Sequence, residues 1–233
     1  MLEYRHLAVA ALTLALSSAV FPTQSPAQSP ALSLALSSAS ASAESGAFSR
    51  FIDGIVSSKV SFDYSYVLDN GKVKVTGEGN VVFQGDSFVM KGDGLEVYCD
   101  GTDKWTVDRN AGEAVAESFD PGRPDYLANP ALIVGNVGEA FSAMSETDVV
   151  RNGKPAVKVA LKPAEGMRQV TSASLYFSPS ADPVPVAAEI ELSDGSVLEL
   201  SISSFSLSAM SGDSAFRFDP SGLTEDFVIT DLR

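Results

Sequence analysis

The sequence predicts a mainly β fold: a strongly curved antiparallel sheet of about eleven strands, with an N-terminal helix and a mid-chain helical insert against its concave side. Three observations carry this reading. From Val60 onward apolar residues recur at every second position, the period of a strand with one buried face. Turn signals such as Asp69-Asn70-Gly71, Asn152-Gly153 and Asp194-Gly195 punctuate the alternation. Two stretches break the period, one before Val60 and one in a proline-marked segment after Asp120. Open antiparallel sheets of this size curl, and the insert has the concave side to cover.

The first 43 residues read as a processing segment, leaving residues 44–233 as a single domain. Arg5 and His6 precede the apolar run Leu7-Ala8-Val9-Ala10-Ala11-Leu12-Thr13-Leu14-Ala15-Leu16, the layout of a secretory signal peptide and too short to span a bilayer with margin. Small residues offer two cleavage signals, after Ala27 or after Ala43, and the Ser/Ala/Pro-rich composition of 22–43 favours the second. A membrane anchor with a flexible tether is the competing reading. No Cys follows the run, so the chain is not expected to carry lipid itself.

The domain opens with a helix. Phe48, Phe51, Ile52, Ile55 and Val56 fall at i, i+3, i+4, i+7 and i+8, an apolar stripe, with Glu44 near its start and Lys59 near its end to suit the helix dipole. Val60, Phe62, Tyr64, Tyr66 and Leu68 then alternate with polar residues. After the Asp69-Asn70-Gly71 turn, Val73, Val75, Gly77, Gly79, Val81 and Phe83 continue the alternation, the glycines suggesting a bend or bulge. Shorter strands are predicted at 88–90, 95–99, 104–107 and 113–118, as an antiparallel meander. Pro121, Pro124 and Pro130 forbid a central strand, and Asn129-Pro130 can open a broken, Gly-containing helix over 131–144. Strands resume at 147–151, 156–161, 170–177, 186–192 and 197–205, and the chain ends in an extended piece, Val228 to Arg233.

Composition excludes several functions. The net charge is −14 and stays there without residues 1–43, which hold one acid, Glu3, and one base, Arg5. Such a molecule is repelled by phosphate backbones, so nucleic acid is a poor partner, and a lipid cargo must be held by apolar surface. The only His is His6, in the processing segment, so residues 44–233 have no His-based general base and no Cys–His pair. The single Cys, Cys99, can form no intramolecular disulfide and is in phase with Leu95 and Val97, as a buried thiol would be. Asp100 and Asp103 do not match a calcium-loop spacing and read as turn residues. No catalytic residue, metal site or cofactor is expected; carboxylates alone leave a glycosidase pair open on inventory.

Five short patterns, in order, resemble the outer-membrane lipoprotein carrier (LolA) family: Gly77-Glu78-Gly79-Asn80-Val81 with Ser87-Phe88; Asp100-Gly101-Thr102-Asp103-Lys104-Trp105; the apolar, proline-marked insert from Tyr126 to Val134; Phe216-Arg217-Phe218-Asp219-Pro220; and Val228-Ile229-Thr230-Asp231-Leu232-Arg233. The resemblance runs from about Phe48 to Arg233. It implies an incomplete (half) β-barrel with a helical lid and a periplasmic, monomeric, non-enzymatic chaperone. Its apolar cavity would take lipoprotein acyl chains from an inner-membrane ABC-type releasing complex towards the outer membrane, with or without a receptor there. The candidate cavity residues are Phe62, Tyr64, Tyr66, Val81, Phe83, Phe88, Met90 and Trp105; the candidate lid residues are Tyr126, Leu127, Leu132 and Ile133. Many family members carry a basic Arg-Pro after the second strand to latch the lid. Here Gln84-Gly85-Asp86 stands in that place.

Three acyl chains of about fifteen methylenes each, at about 0.8 kcal/mol per methylene, hold a lipoprotein in its membrane by roughly 35 kcal/mol, so a carrier must offer comparable apolar surface. Other readings remain: a cell-envelope lipid- or glycolipid-binding module on the same half-barrel, or a structural β domain in which the same residues form a closed core.

Overall fold

The structure, a computed structural model, describes residues 46–120, 134, 137–165 and 167–233. The processing segment, Glu44 and the lid candidates Tyr126, Leu127, Leu132 and Ile133 lie outside the described residues.

Helix α1 spans Ala47–Val56. Its stripe turns Phe48, Phe51 and Ile55 into the core and half-buries Ile52, whereas Val56, at the last turn, is exposed. Lys59 is not in the last turn; it opens β1.

Twelve strands follow: β1 (Lys59–Asp69), β2 (Lys74–Gln84), β3 (Ser87–Gly92), β4 (Leu95–Asp100), β5 (Asp103–Asp108), β6 (Glu113–Ser118), β7 (Phe141–Arg151), β8 (Lys154–Pro163), β9 (Val170–Phe177), β10 (Pro185–Leu192), β11 (Val197–Ser208) and β12 (Val228–Asp231). They form one open sheet in the order β12-β6-β5-β4-β3-β2-β1-β11-β10-β9-β8-β7. Two antiparallel meanders, β1 to β6 and β7 to β11, are joined where β1 pairs with β11. The expected eleven strands fall one short because the terminal extended piece pairs with β6, in parallel.

A second correction concerns the insert. Helix is described at Val134 and over a four-residue α2, Val137–Ala140, but Phe141 to Met144 belong to β7. Phe141 pairs with Pro163 and Ala143 with Leu161, so ladder bonds to β8 override the helical pattern read there.

The glycines of β2 do not mark a bulge: β1 and β2 stay in register throughout. Gly77 and Gly79 lie directly across from Tyr66 and Tyr64, and a Cβ at either would run into the facing ring. They make room for the two tyrosines to lie across β2. The irregularity sits instead in β11, where the register with β1 slips between Ser203 and Ser206 and Ser204 takes a φ of 53°.

Candidate functional site

Alternation and register decide which residues share a face. Phe62 stands opposite Val81, Val81 opposite Met90, and Met90 opposite Val97; Val60, Phe83, Phe88 and Cys99 form the next row. On the other side of β1, Tyr64 faces Ile202, Tyr66 faces Leu200, and Leu68 faces Leu198. Phe62, Tyr64, Tyr66, Val81, Phe83, Phe88 and Met90 are thereby brought onto one inner face, continued by Leu175, Ala188 and Ile190. This face is one apolar bed. Phe62 is its centre, edge-on to Phe83 (6.4 Å between centroids, 80°) and Tyr64 (6.4 Å, 67°) and stacked on Phe205 (6.3 Å, 21°).

Helix α1 covers the bed. Phe51 packs against Phe177 at 5.3 Å and Phe205 at 5.9 Å, and Val134, Val137 and Ala140 are buried in the same cluster. A Cβ on Gly138 of α2 would press on Ile52 of α1 at 3.2 Å, so the two helical pieces touch. With this cover in place Phe62, Val81 and Phe83 are only 2%, 1% and 5% exposed. The bed opens towards the β1–β2 turn, where Tyr66 and Leu68 are half-buried and Val73 and Val75 are exposed. Burial raises the pKa of the Tyr64 hydroxyl, and Tyr66 and Asp93 add to the rise. Burial likewise pushes the Cys99 thiol up to about 11, and its Sγ donates to the Asp86 carbonyl at 3.6 Å, an inert core thiol.

Charged residues bound the bed on both sides. In β5 and β6 the inner face carries Lys104 and Glu117, paired at 2.9 Å. In β7 it carries Glu146, opposite Val159, and Asp148, opposite Val157.

Trp105 does not join the bed. It pairs with Tyr98, while Cys99 pairs with Lys104, so its indole is on the outer face. There it packs with Val107, Ala114 and Ala116 beneath Phe218, Leu223 and Phe227. Phe218 lies 5.2 Å from Trp105 and 5.0 Å from Tyr98, and the Arg233 guanidinium lies 5.4 Å over the indole. Counting across the Gly101-Thr102 turn would have shown that Lys104, not Trp105, shares the face of Cys99.

The other singled-out motifs are used by the segment that crosses this outer face from β11 to β12. Gln84, the last residue of β2, donates its side-chain amide to the Ser211 carbonyl at 2.9 Å and accepts from Ser211 N–H at 2.7 Å. It ties the crossing segment to the end of β2. The Asp100 carboxylate accepts from the N–H groups of Asp103 and Thr102 and from Arg217, bonds that hold its pKa below the ordinary range. It is a turn residue and a strap anchor. Among the described residues no three His, Cys, Asp or Glu side chains are grouped to hold a metal ion.

One residue was missed by sequence reasoning. The first turn of α1 contains no acid, and Gly46, its N-cap, has no side chain to cap it. Glu146 supplies the cap from β7: its carboxylate accepts from Ala47 N–H at 2.9 Å and Phe48 N–H at 3.1 Å. Nothing in the local sequence joins positions 98 and 99 residues apart.

Fold and site define a class: an open, mainly antiparallel sheet burying an apolar bed under a short helix. No protein-family model matches the sequence, and no curated protein matches it significantly. Solved structures similar to it in fold include an uncharacterized conserved protein from Thermus thermophilus, at 11% identity and a TM-score of 0.48, covering 79% of this chain and 96% of that one. A LolA superfamily protein from Nitrosomonas europaea is 12% identical with a TM-score of 0.43, over 74% and 97% of the two chains. A domain named for outer-membrane lipoprotein sorting, from Vibrio parahaemolyticus, is 11% identical with a TM-score of 0.40, over 73% and 94%.

Proposed function

We propose that this chain is an exported carrier of lipoproteins, working as a monomer in the periplasm without catalysing a reaction, and that the inner bed is where it holds acyl chains. The observation that carries the reading is the continuity of the bed: seven apolar or aromatic side chains from β1, β2 and β3 share one face, and a helix of only ten residues lies over them. An isolated helix shorter than about 12–15 residues is marginal in water, so this cover depends on its contacts and can exchange them for a cargo's methylenes. The ordered motifs from Gly77 to Arg233 support the same reading. Trp105 is left out of the proposed cavity, and the insert around Tyr126, Leu127, Leu132 and Ile133 is proposed to share the cover with α1. Cargo would arrive from an inner-membrane ABC-type releasing complex and leave at the outer membrane.

Photo-crosslinkers at Phe62 or Phe83 are expected to capture lipoprotein in cells, while crosslinkers at Asp63 or Ser65, on the exposed side of β1, are not. Equal capture from both faces would sink the carrier reading. Mass spectrometry of the captured material separates carrier from lipid module: acylated protein supports the first, free lipid or glycolipid alone the second.

A further inference from the structure

We infer that Glu146 is the catch of the cover: it ties the first turn of α1 to the edge strand β7, and letting go of that tie uncovers the apolar bed. The purpose of the device rests on the carrier reading; its geometry does not.

Three features converge on this carboxylate. First, β7 is built to aim it. Ala143 pairs with Leu161 and Ser145 with the next residue back, Ala160, so Met144 is an extra residue in β7. Such a bulge reverses the phase of everything beyond it. Without it Ser145 would share the face of Ala143 and Glu146 would point outward; with it Glu146 and Asp148 turn to the inner face, which the sheet otherwise keeps apolar from β1 to β4 and from β8 to β11. Second, the helix is shaped to receive it. A Cβ at position 46 would collide with the Glu146 carboxylate where it now stands, so the glycine leaves that position open to reach the N–H groups of Ala47 and Phe48. Third, the contact is reachable. A cleft of about 280 Å³, lined by Arg50, Glu146, Asp148 and Val157 among others, opens beside it.

The buried face of α1 is held by apolar packing of Phe48, Phe51 and Ile55, contacts that acyl chains can replace in kind. The Glu146 bonds are different, because no methylene can replace them. They bias the cover towards closure, and a competitor for that carboxylate would bias it towards opening.

The test uses the full chain and a reporter of lift-off rather than of helicity. In a Cys99→Ser background, Ile55→Cys places a thiol on the buried side of α1, where a thiol reagent reaches it only when the helix leaves the sheet. Glu146→Ala is expected to raise the labelling rate about tenfold, the size of a lost cap, with amide exchange at Leu175 and Leu200 unchanged. Adding Gly46→Ser to Glu146→Ala returns a cap to the helix from its own chain, at a residue already extended (φ −71°, ψ 170°), but no tie to β7. Labelling should then stay at least about fivefold above the parent. The inference is overturned if Glu146→Ala leaves labelling unchanged, if the sheet amides accelerate by the same factor, or if Gly46→Ser restores the parental rate. No lipid enters the readout, so failure to bind an acyl probe would remove the carrier reading and leave the catch standing.

Discussion

Strands β4 and β5 are hydrogen-bonded neighbours, yet they bury opposite faces. Val97 and Cys99 of β4 point into the inner bed, under the cover of α1 and the buried part of the insert. Trp105 and Val107 of β5, with Ala114 and Ala116 of β6, point outward beneath the segment carrying Phe218, Leu223 and Phe227. All three strands alternate buried and less buried positions with the same period. What differs is the covering element: a short helix on one side, an irregular segment tied to β4 by the Arg217–Asp100 ion pair on the other. A period of two says that one face is buried, and only the partner that arrives over it says which.

The largest test of this contrast is in the bed. Phe62→Ala removes the ring at the centre of the aromatic cluster and is expected to cost about 4 kcal/mol, seen as a lower urea midpoint by far-UV circular dichroism for the whole sheet. A smaller and more local effect is expected from Phe218→Ala, about 2 kcal/mol. Trp105 is the sole tryptophan, so its fluorescence reads the outer cluster alone. The Phe218→Ala change should shift its emission and move its unfolding midpoint ahead of the circular-dichroism transition. Coincident transitions would mean that the two clusters melt as one, and the contrast would lose its energetic content.

The smallest effect is expected from acid. The side chain of Arg233, then its backbone N–H, hold the Asp231 carboxyl down at about 2 from its ordinary 3.8, and Asp100 is held down by the N–H groups of its own turn and by Arg217. A depressed carboxyl contributes stability that is complete above its unfolded pKa and is lost as pH falls through the folded one. Arg217 on the crossing segment and Arg233 over the Trp105 indole should therefore lose carboxylate partners as pH drops from about 3.8 towards 2. Trp105 emission should change over that window while the circular dichroism of the sheet does not, and no change in emission would remove these pairs from what holds the outer cluster.

Much of this was legible in the chain. The apolar stripe from Phe48 and the alternation through Phe62 and Phe83 rest on local periodicity, and the structure keeps both. The Asp69-Asn70-Gly71 turn rests on side-chain bonds to neighbouring N–H groups, Asp69 to Gly71 and Asn70 to Lys72 and Val73. Five residues of the bed, Phe62, Tyr64, Tyr66, Val81 and Phe83, could be placed on one face because a tight turn fixes the register of β1 on β2, and Phe88 and Met90 join them through the pairing of β3 with β2. Trp105, a cavity candidate, lies on the outer face because Lys104, not Trp105, stands opposite Cys99.

What the sequence determined by itself is therefore most of the strands and the parity of side chains within each unbroken run, since both follow from bonds and turns within a few residues. The tertiary structure decided the rest. It set which parity became core in β5 and β6, by bringing Phe218 and Phe227 over them from about a hundred residues away. It turned 141–144 from helix to strand by pairing them with β8, and in doing so created the bulge at Met144 that aims Glu146 at α1. Each of those outcomes depends on a partner distant along the chain, and local pattern carries no record of who the partner will be.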